Sequence, residues 1–265
     1  MKTIHFSKWE GTGNDFILLD DRQPGFLPID TGALARTLCD RHIGIGSDGL
    51  ILIRPGTGVA FNMVFHNPDG SQSFCGNGSR CAFAFHSQLY GPGGPEATTS
   101  ATFSAIDGMH TAEWQGDEVR ISMLPVDGVR SLAVDMDLLH TGSPHLLIWV
   151  QDPDAIDIDP EARKYRYDPQ FGPGGVNVNF VTRRAGGLYM RTYERGVEAE
   201  TLSCGTGVTA AALDAMHRGV VNGACRVETR GGVLHVEARH IEGGRFEGIH
   251  LTGPVREVFR GEVNI

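Results

Sequence analysis

F-C-G-N-G-S-R-C-A at residues 74–82 and S-C-G-T-G-V-T-A-A at residues 203–211 are near-copies of one pattern. In each, a cysteine is followed by Gly-x-Gly and then by a run that can form a helix. The two cysteines, Cys75 and Cys204, lie 129 positions apart (204 − 75), close to half of the 265-residue chain. A second pair keeps the offset: Thr12-Gly13-Asn14 leads into the apolar run Phe16 to Leu19, and Thr141-Gly142-Ser143 leads into Leu146 to Val150 (141 − 12). Two matches at one spacing predict two related halves, each offering one cysteine.

The coarse pattern around these motifs is mixed α and β. Thr3 to Ser7 and Phe16 to Asp20 read as strands, with a glycine-bearing loop over Glu10 to Asp15 between them. Asp30 or Thr31 can cap a helix through about Asp40, with Leu34, Ala35 and Leu38 on one face. Gly44 to Gly49 reads as a loop, Gly49 to Arg54 and Ala60 to His66 as strands, and Asn67-Pro68-Asp69-Gly70 as a turn. Ala82 to Tyr90 reads as a buried helix stopped by Gly91-Pro92-Gly93-Gly94-Pro95. The second half repeats the alternation: strands at Leu146 to Val150, Val176 to Thr182 and Leu188 to Glu194, then a helix from about Gly205 to Arg218. The expected boundary between the halves is near Gly116-Asp117.

Composition narrows the function classes. The formal charge is −9 and there is no Lys/Arg-rich run, which argues against nucleic acid as a partner. No apolar run approaches the ~20 residues that span a bilayer, and the N-terminus lacks the apolar stretch of a signal peptide. Five cysteines, an odd number with no C-x-x-C, predict free thiols in a reducing cytoplasm. No metal or organic cofactor is expected, since there is no Walker A loop, no His-Glu-x-x-His and no paired Cys-x-x-Cys. A lone free cysteine is most often a small buried apolar residue, and that is the expectation for Cys39, Cys81 and Cys225. Taken alone, Glu194-Arg195 reads as an exposed strand end, His145 as a structural histidine, and Asn14 and Asn67 as turn residues.

The duplicated context sets Cys75 and Cys204 apart. A helix N-terminus leaves about four N–H groups without partners and carries partial positive charge, which suits a carboxylate and favours a thiolate. Two such helix starts acting on one amino acid could take the α-proton with one thiolate and return a proton from the other thiol. Preorganised N–H donors would stabilise the charge that develops on the carboxylate.

These motifs resemble the diaminopimelate epimerase family. The resemblance runs nearly end to end: G-T-G-N-D-F at 11–16, R-H-I-G-I-G-S-D-G at 41–49, N-P-D-G-S at 67–71, S-P-H at 143–145, V-N-V-N-F at 176–180 and Y-E-R-G at 193–196 join the two cysteine motifs. It implies two pseudo-symmetric α/β halves (α+β type), each a curved sheet wrapped around a central helix, with the active site in the cleft between them. Residues 1–117 with 252–265 would form the half carrying Cys75, and 118–251 the half carrying Cys204. It implies Cys75 and Cys204 as catalytic residues, and Asn14, Asn67 and Asn177 as substrate contacts. Gly76-Asn77 and Gly205-Thr206 would hold the reacting carboxylate. Glu194 and Arg195 would recognise substrate charges, and His145 and Glu194 would tune the cysteines. The implied activity is cofactor-independent epimerisation of LL- to meso-diaminopimelate, with a small diamino dicarboxylic acid as partner, no nucleic acid or membrane, and room for a homodimer.

The chain departs from the pattern at a few places. Asn67 to Cys75 is one position shorter than is common in that family, and Glu194 to Cys204 one longer. Ser143 stands where asparagine is frequent, and Pro68 where alanine is. Both altered spacings fall beside residues expected to choose the substrate. Two further hypotheses follow: the same two-thiol chemistry on another amino acid, such as histidine or a proline derivative, and a redox-switchable binding protein.

Overall fold

The computed structural model describes the whole chain except residues 1, 24, 26, 28–29, 91–98 and 242–243. The expected Gly91–Pro95 helix stop lies outside the described residues. The chain divides into two compact units, residues 1–121 with 253–265 and residues 122–252. The division falls just beyond the expected Gly116-Asp117 turn. That turn instead joins two strands of a hairpin, in which Gln115 pairs with Glu118.

The first unit begins with β1 (Thr3–Gly11) and β2 (Asn14–Asp20), followed by α1 (Thr31–Cys39), β3 (Gly49–Pro55), β4 (Phe61–His66), α2 (Gly76–Leu89), β5 (Ser100–Ala105), β6 (Gly108–Gln115) and β7 (Glu118–Ser122). The second unit carries β8 (Arg130–Ala133), β9 (Met136–His140), β10 (Pro144–Trp149), α3 (Ile158–Arg166), β11 (Asn177–Arg184), β12 (Gly187–Glu194) and β13 (Ala199–Thr201). It continues with α4 (Gly205–His217), β14 (Ala224–Thr229), β15 (Gly232–His240) and β16 (Phe246–Pro254). The chain then returns to the first unit as β17 (Arg256–Asn264), which pairs antiparallel with β1, Thr3 opposite Asn264.

The two units have the same strand logic. In the first, β17–β1 and β1–β2 are antiparallel, β2–β3 parallel, β3–β4 antiparallel, β4–β5 parallel, and β5–β6 and β6–β7 antiparallel. In the second, β8, β9, β10, β11, β12, β14, β15 and β16 follow that same sequence of directions. The small strand β13, paired with β12, is an addition of the second unit.

Each sheet wraps its own central helix. Every residue of α2 from Gly76 to His86 is buried, against β1 to β4 and β6. Every residue of α4 from Gly205 to Met216 is buried, against β9 to β12, β14 and β15. Helices buried on all sides cannot show the one-sided stripe of a surface helix, and small residues (Gly, Ala, Thr) dominate α4 because the sheet closes on it. The outer helices behave differently. Leu34, Ala35 and Leu38 of α1 pack on Ile17, Leu19, Leu50 and Leu52, and Ile158 and Ala162 of α3 pack on Leu146, Ile148, Val178 and Phe180.

Three local expectations need correction. Glu10 to Asp15 is a tight hairpin rather than a loop: Gly11 pairs with Asn14, and Thr12 and Gly13 both take positive φ, +58° and +82°. That two-residue turn matches the right-handed twist of the flanking strands. The first central helix begins at Gly76, directly after Cys75, and not at Ala82. Helix α3 is absent from the sequence expectation. Its buried residues are only Ile158, Ala162 and Arg166, so its apolar signal is two residues deep, although an acidic first turn and a basic last turn mark its ends.

Candidate active site

In the first unit, Cys75 is the N-cap of α2. Its backbone is extended, and its Sγ accepts from the Gly78 N–H at 3.3 Å. The first bond within the helix runs from the Ser79 N–H to the Cys75 carbonyl, so the amides of 76–78 point out of the helix end. Asn77 is fully buried and donates Nδ2 to Asn14 Oδ1 at 3.4 Å. Asn14 thus sits against the helix start, and its own Nδ2 donates to Asp48 Oδ2 at 2.5 Å.

Asp48 belongs to a charged network. Arg41 Nη2 reaches both Asp15 Oδ1 (2.8 Å) and Asp48 Oδ1 (2.7 Å), while Lys8 Nζ lies 2.7 Å from Asp15 Oδ2. Burial and the neighbouring Asp15 charge push the Asp48 carboxyl above its usual range. Asp15 faces the same burial, but Arg41 and Lys8 outweigh it and hold the group low. A second tie runs from fully buried Arg80, whose Nη2 donates to Thr12 Oγ1 at 2.8 Å and fixes the strained turn before Asn14. Asn67 is engaged by its own turn, donating Nδ2 to Ser71 Oγ (3.0 Å) and Ser73 Oγ (3.2 Å).

In the second unit, Cys204 is the N-cap of α4 and is 6 % exposed. The Val208 N–H bonds to its carbonyl, as Ser79 does to Cys75. Here the thiol meets a side chain rather than an amide: Sγ lies 3.4 Å from Thr206 Oγ1. Thr206 Oγ1 is in turn 2.9 Å from Nε2 of fully buried His145.

The direction of this chain follows from Asn179. Its Nδ2 donates to the Leu146 carbonyl (2.9 Å) and its Oδ1 accepts from Thr192 Oγ1 (3.0 Å), which fixes the amide. Nδ2 then also faces His145 Nδ1 at 3.3 Å and donates to it. Nδ1 is therefore the acceptor, Nε2–H donates to Thr206 Oγ1, and the Thr206 hydroxyl is left to donate to Cys204 Sγ. Burial pushes the imidazole down to about 3, so it stays neutral and keeps this tautomer. Gly207 makes room for the ring: a Cβ there would lie 2.7 Å from Asn179 Oδ1 and 3.3 Å from the imidazole.

The charged pair at the end of β12 is also organised. Arg195 N–H donates to Asn177 Oδ1 at 2.8 Å, and its Nη2 reaches Ser143 Oγ at 3.3 Å. Asn177 Nδ2 donates to Ser143 Oγ (2.8 Å) and to the Pro144 carbonyl (3.0 Å). Glu194 Oε2 accepts from Thr201 Oγ1 at 2.9 Å. Asn14 and Asn77 thus meet around Cys75, and His145 and Thr206 around Cys204, with Asn177 bonded to Arg195. Asp48, Arg80, Asn179 and the Thr206 hydroxyl were missed from sequence. Asn179 carried a local signal, lying two positions from Asn177 and so on the same face of β11, and Asp48 and Arg80 lie within the motifs at 41–49 and 74–82.

Among the described residues no group of three or more His, Cys, Asp or Glu is placed to hold a metal ion, and no helix is long and apolar enough to cross a membrane. Two equivalent α/β units, each presenting a cysteine at the start of its buried helix, define a class of duplicated two-thiol proteins. The sequence profile of the diaminopimelate epimerase family matches residues 6–125 and 138–258. The chain belongs to that family, and so to the isomerases. It is 41% identical over 256 residues to the diaminopimelate epimerase of Flavobacterium psychrophilum, covering 95% of this chain and 97% of that one. It is 40% identical over 266 residues to that of Chlorobaculum tepidum, covering 96% and 99%. A probable proline racemase from Agrobacterium radiobacter K84 shares the fold, with a TM-score of 0.76 at 17% identity over 99% of this chain and 93% of that one.

Proposed function

We propose that this chain interconverts LL- and meso-diaminopimelate by a two-thiol mechanism, supplying lysine and peptidoglycan precursors in the cytoplasm. One observation carries the proposal: each of two topologically matched units places a cysteine as the N-cap of its buried helix. The thiolate of one cysteine takes the α-proton and becomes a thiol. The thiol of the other gives a proton to the opposite face of the same carbon and becomes a thiolate, so charge and protons balance. The substrate carboxylate, which gains negative charge as the proton leaves, suits the amides of Gly76 and Asn77 and those of 205–207, in a field that favours anions.

The side-chain chemistry supports this assignment of roles. The Thr206 hydroxyl donates to Cys204 and favours its thiolate, with neutral His145 orienting that hydroxyl. The Gly78 amide does the same for Cys75. Asn14 and Asn77 are held beside the first thiol as substrate contacts, with Asn67 on the neighbouring turn. Arg195, steered by Asn177, can grip the distal carboxylate with two N–H groups, and Glu194 can accept from the distal ammonium.

The test is α-proton exchange in deuterated water, followed by NMR, with LL-diaminopimelate and other amino acids as substrates. Wild-type protein should exchange diaminopimelate, and Cys75→Ser or Cys204→Ser should each cost at least ~100-fold in kcat, as loss of a proton-transfer group does. Full turnover by the double serine variant would refute the mechanism. Fast exchange of another amino acid, with none of diaminopimelate, would refute the substrate assignment.

A further inference from the structure

The turn carrying Glu194 and Arg195 is built on a charged clamp that lies outside the site described above. Arg166, the last residue of α3, is 7 % exposed. Its Nη2 donates to Glu198 Oε1 at 2.6 Å and its Nη1 to the Gly174 carbonyl at 3.0 Å. Tyr167 OH donates to the other oxygen of Glu198 at 2.6 Å, and the Gly196 N–H donates to Oε1 at 3.0 Å. Tyr193 OH closes on the Glu198 carbonyl at 2.7 Å, and the Glu198 N–H returns to the Glu194 carbonyl at 2.9 Å.

Two features separate this clamp from an ordinary surface ion pair. Glu198 holds φ at +59°, a region L side chains rarely adopt, so something must compensate for the strain. The carboxylate supplies it by accepting three hydrogen bonds, two of them from the side chains of Arg166 and Tyr167 at the C-terminal end of α3. The clamp also reaches both flanks of Arg195. The Glu198 carboxylate ties the turn on one side. On the other, Arg166 fixes Gly174, where a Cβ would lie only 3.2 Å from Arg195 Nη1. The turn itself is exposed at Gly196 and Val197 and adds little to the core. Its order therefore serves the residues it presents. It is also the segment in which Glu194 to Cys204 is one position longer than the resembled pattern.

We propose that Arg166, Glu198 and Tyr167 are positioning residues that preorganise the Glu194-Arg195 turn for the second charged end of the substrate, and so govern selectivity rather than proton transfer. The ligand's identity rests on the diaminopimelate reading; the ordering of the turn does not. A long arginine ordered before binding loses less freedom on binding, so the clamp acts on affinity for double-ended substrates.

The experiment uses the full chain carrying Glu198→Gln, with Tyr167→Phe and Arg166→Lys as companions that keep the fold if the first variant is unstable. Amide hydrogen exchange over residues 194–200 without substrate should quicken at least tenfold in Glu198→Gln and less in Arg166→Lys, which keeps the charge. With diaminopimelate, KM should rise about 10–100-fold and kcat stay within threefold. The α-proton exchange of 2-aminohexanoate, which has one amino-acid end, should stay within twofold. Unchanged amide exchange in all three variants would overturn the proposal, as would equal losses of kcat on both substrates. A wild-type protein inert toward diaminopimelate would refute the functional reading, and amide exchange would then decide the positioning by itself.

Discussion

Replacing Thr206 by valine keeps the shape of the side chain and removes one oxygen. That oxygen bridges Cys204 Sγ at 3.4 Å and His145 Nε2 at 2.9 Å. A hydrogen bond to a charged group contributes about 1.5–3 kcal/mol. At about 1.4 kcal/mol per tenfold, the Cys204 thiolate population at neutral pH should fall roughly 10–100-fold. The fully buried His145 N–H loses its acceptor as well, which costs about 1–3 kcal/mol of stability. The variant should therefore melt several degrees lower while remaining folded. The assay is kcat/KM for α-proton exchange across pH, with Cys204 alkylation by iodoacetamide read by mass spectrometry. Activity should drop by that factor at neutral pH and recover in part at higher pH, as the acidic limb moves up. Thr206→Ser, which keeps the hydroxyl, should remain near wild type. A Thr206→Val protein with wild-type kcat/KM and an unmoved acidic limb would refute the relay from Asn179 through His145 to Cys204.

Two further predictions concern buried titratable groups. His86 is 2 % exposed, stacks on Phe61 with ring centroids 4.6 Å apart, and is pushed down to about 4 by burial and by Arg22. An unfolded imidazole titrates near ~6.5, so stability from the neutral ring is complete above that pH and is lost as pH falls toward the folded value. His86→Phe should flatten the stability loss between pH 7 and 4.5 in urea titrations; an unchanged loss would contradict the assignment. Asp214, fully buried in α4, is raised by burial, with Asp137 adding to the effect, to about 7 from 3.8. Its native state holds the proton more tightly than the unfolded chain, so wild-type stability should decline as pH rises from about 4 to about 7. Asp214→Asn should remove that decline, because Oδ1 can still accept from Trp149 Nε1, and parallel pH profiles of the two proteins would count against it.

The strands and central helices were legible where periodicity or punctuation was strong. Asp30 does cap α1, accepting from the Ala33 N–H at 2.8 Å, because the short acidic side chain before an apolar face has one obvious use. The Thr12-Gly13 hairpin carries a loop signal in the sequence because two residues with positive φ, one of them threonine, leave no apolar alternation to follow. Helix α3 is illegible in the sequence because the third residue of its buried face is Arg166, and an arginine is buried only when partners elsewhere accept its hydrogen bonds. Those partners, Gly174 and Glu198, stand 8 and 32 positions away. The same limit hid Asp48, which acts on Asn14 from 34 positions away.

The sequence by itself determined the duplication, the two cysteine motifs ahead of the central helices, and the family. Those features are local or repeated, and the 129-residue offset between the motifs needs no coordinates to be seen. Only the tertiary structure decided how each thiol is supported. Cys75 rests on a backbone amide, whereas Cys204 rests on a hydroxyl aligned by a buried histidine. The histidine that aligns the hydroxyl stands 61 positions from Thr206, on strand β10. Hydrogen-bond direction depends on geometry that no one-dimensional pattern records, and two motifs that read alike therefore present their sulfurs to different donors.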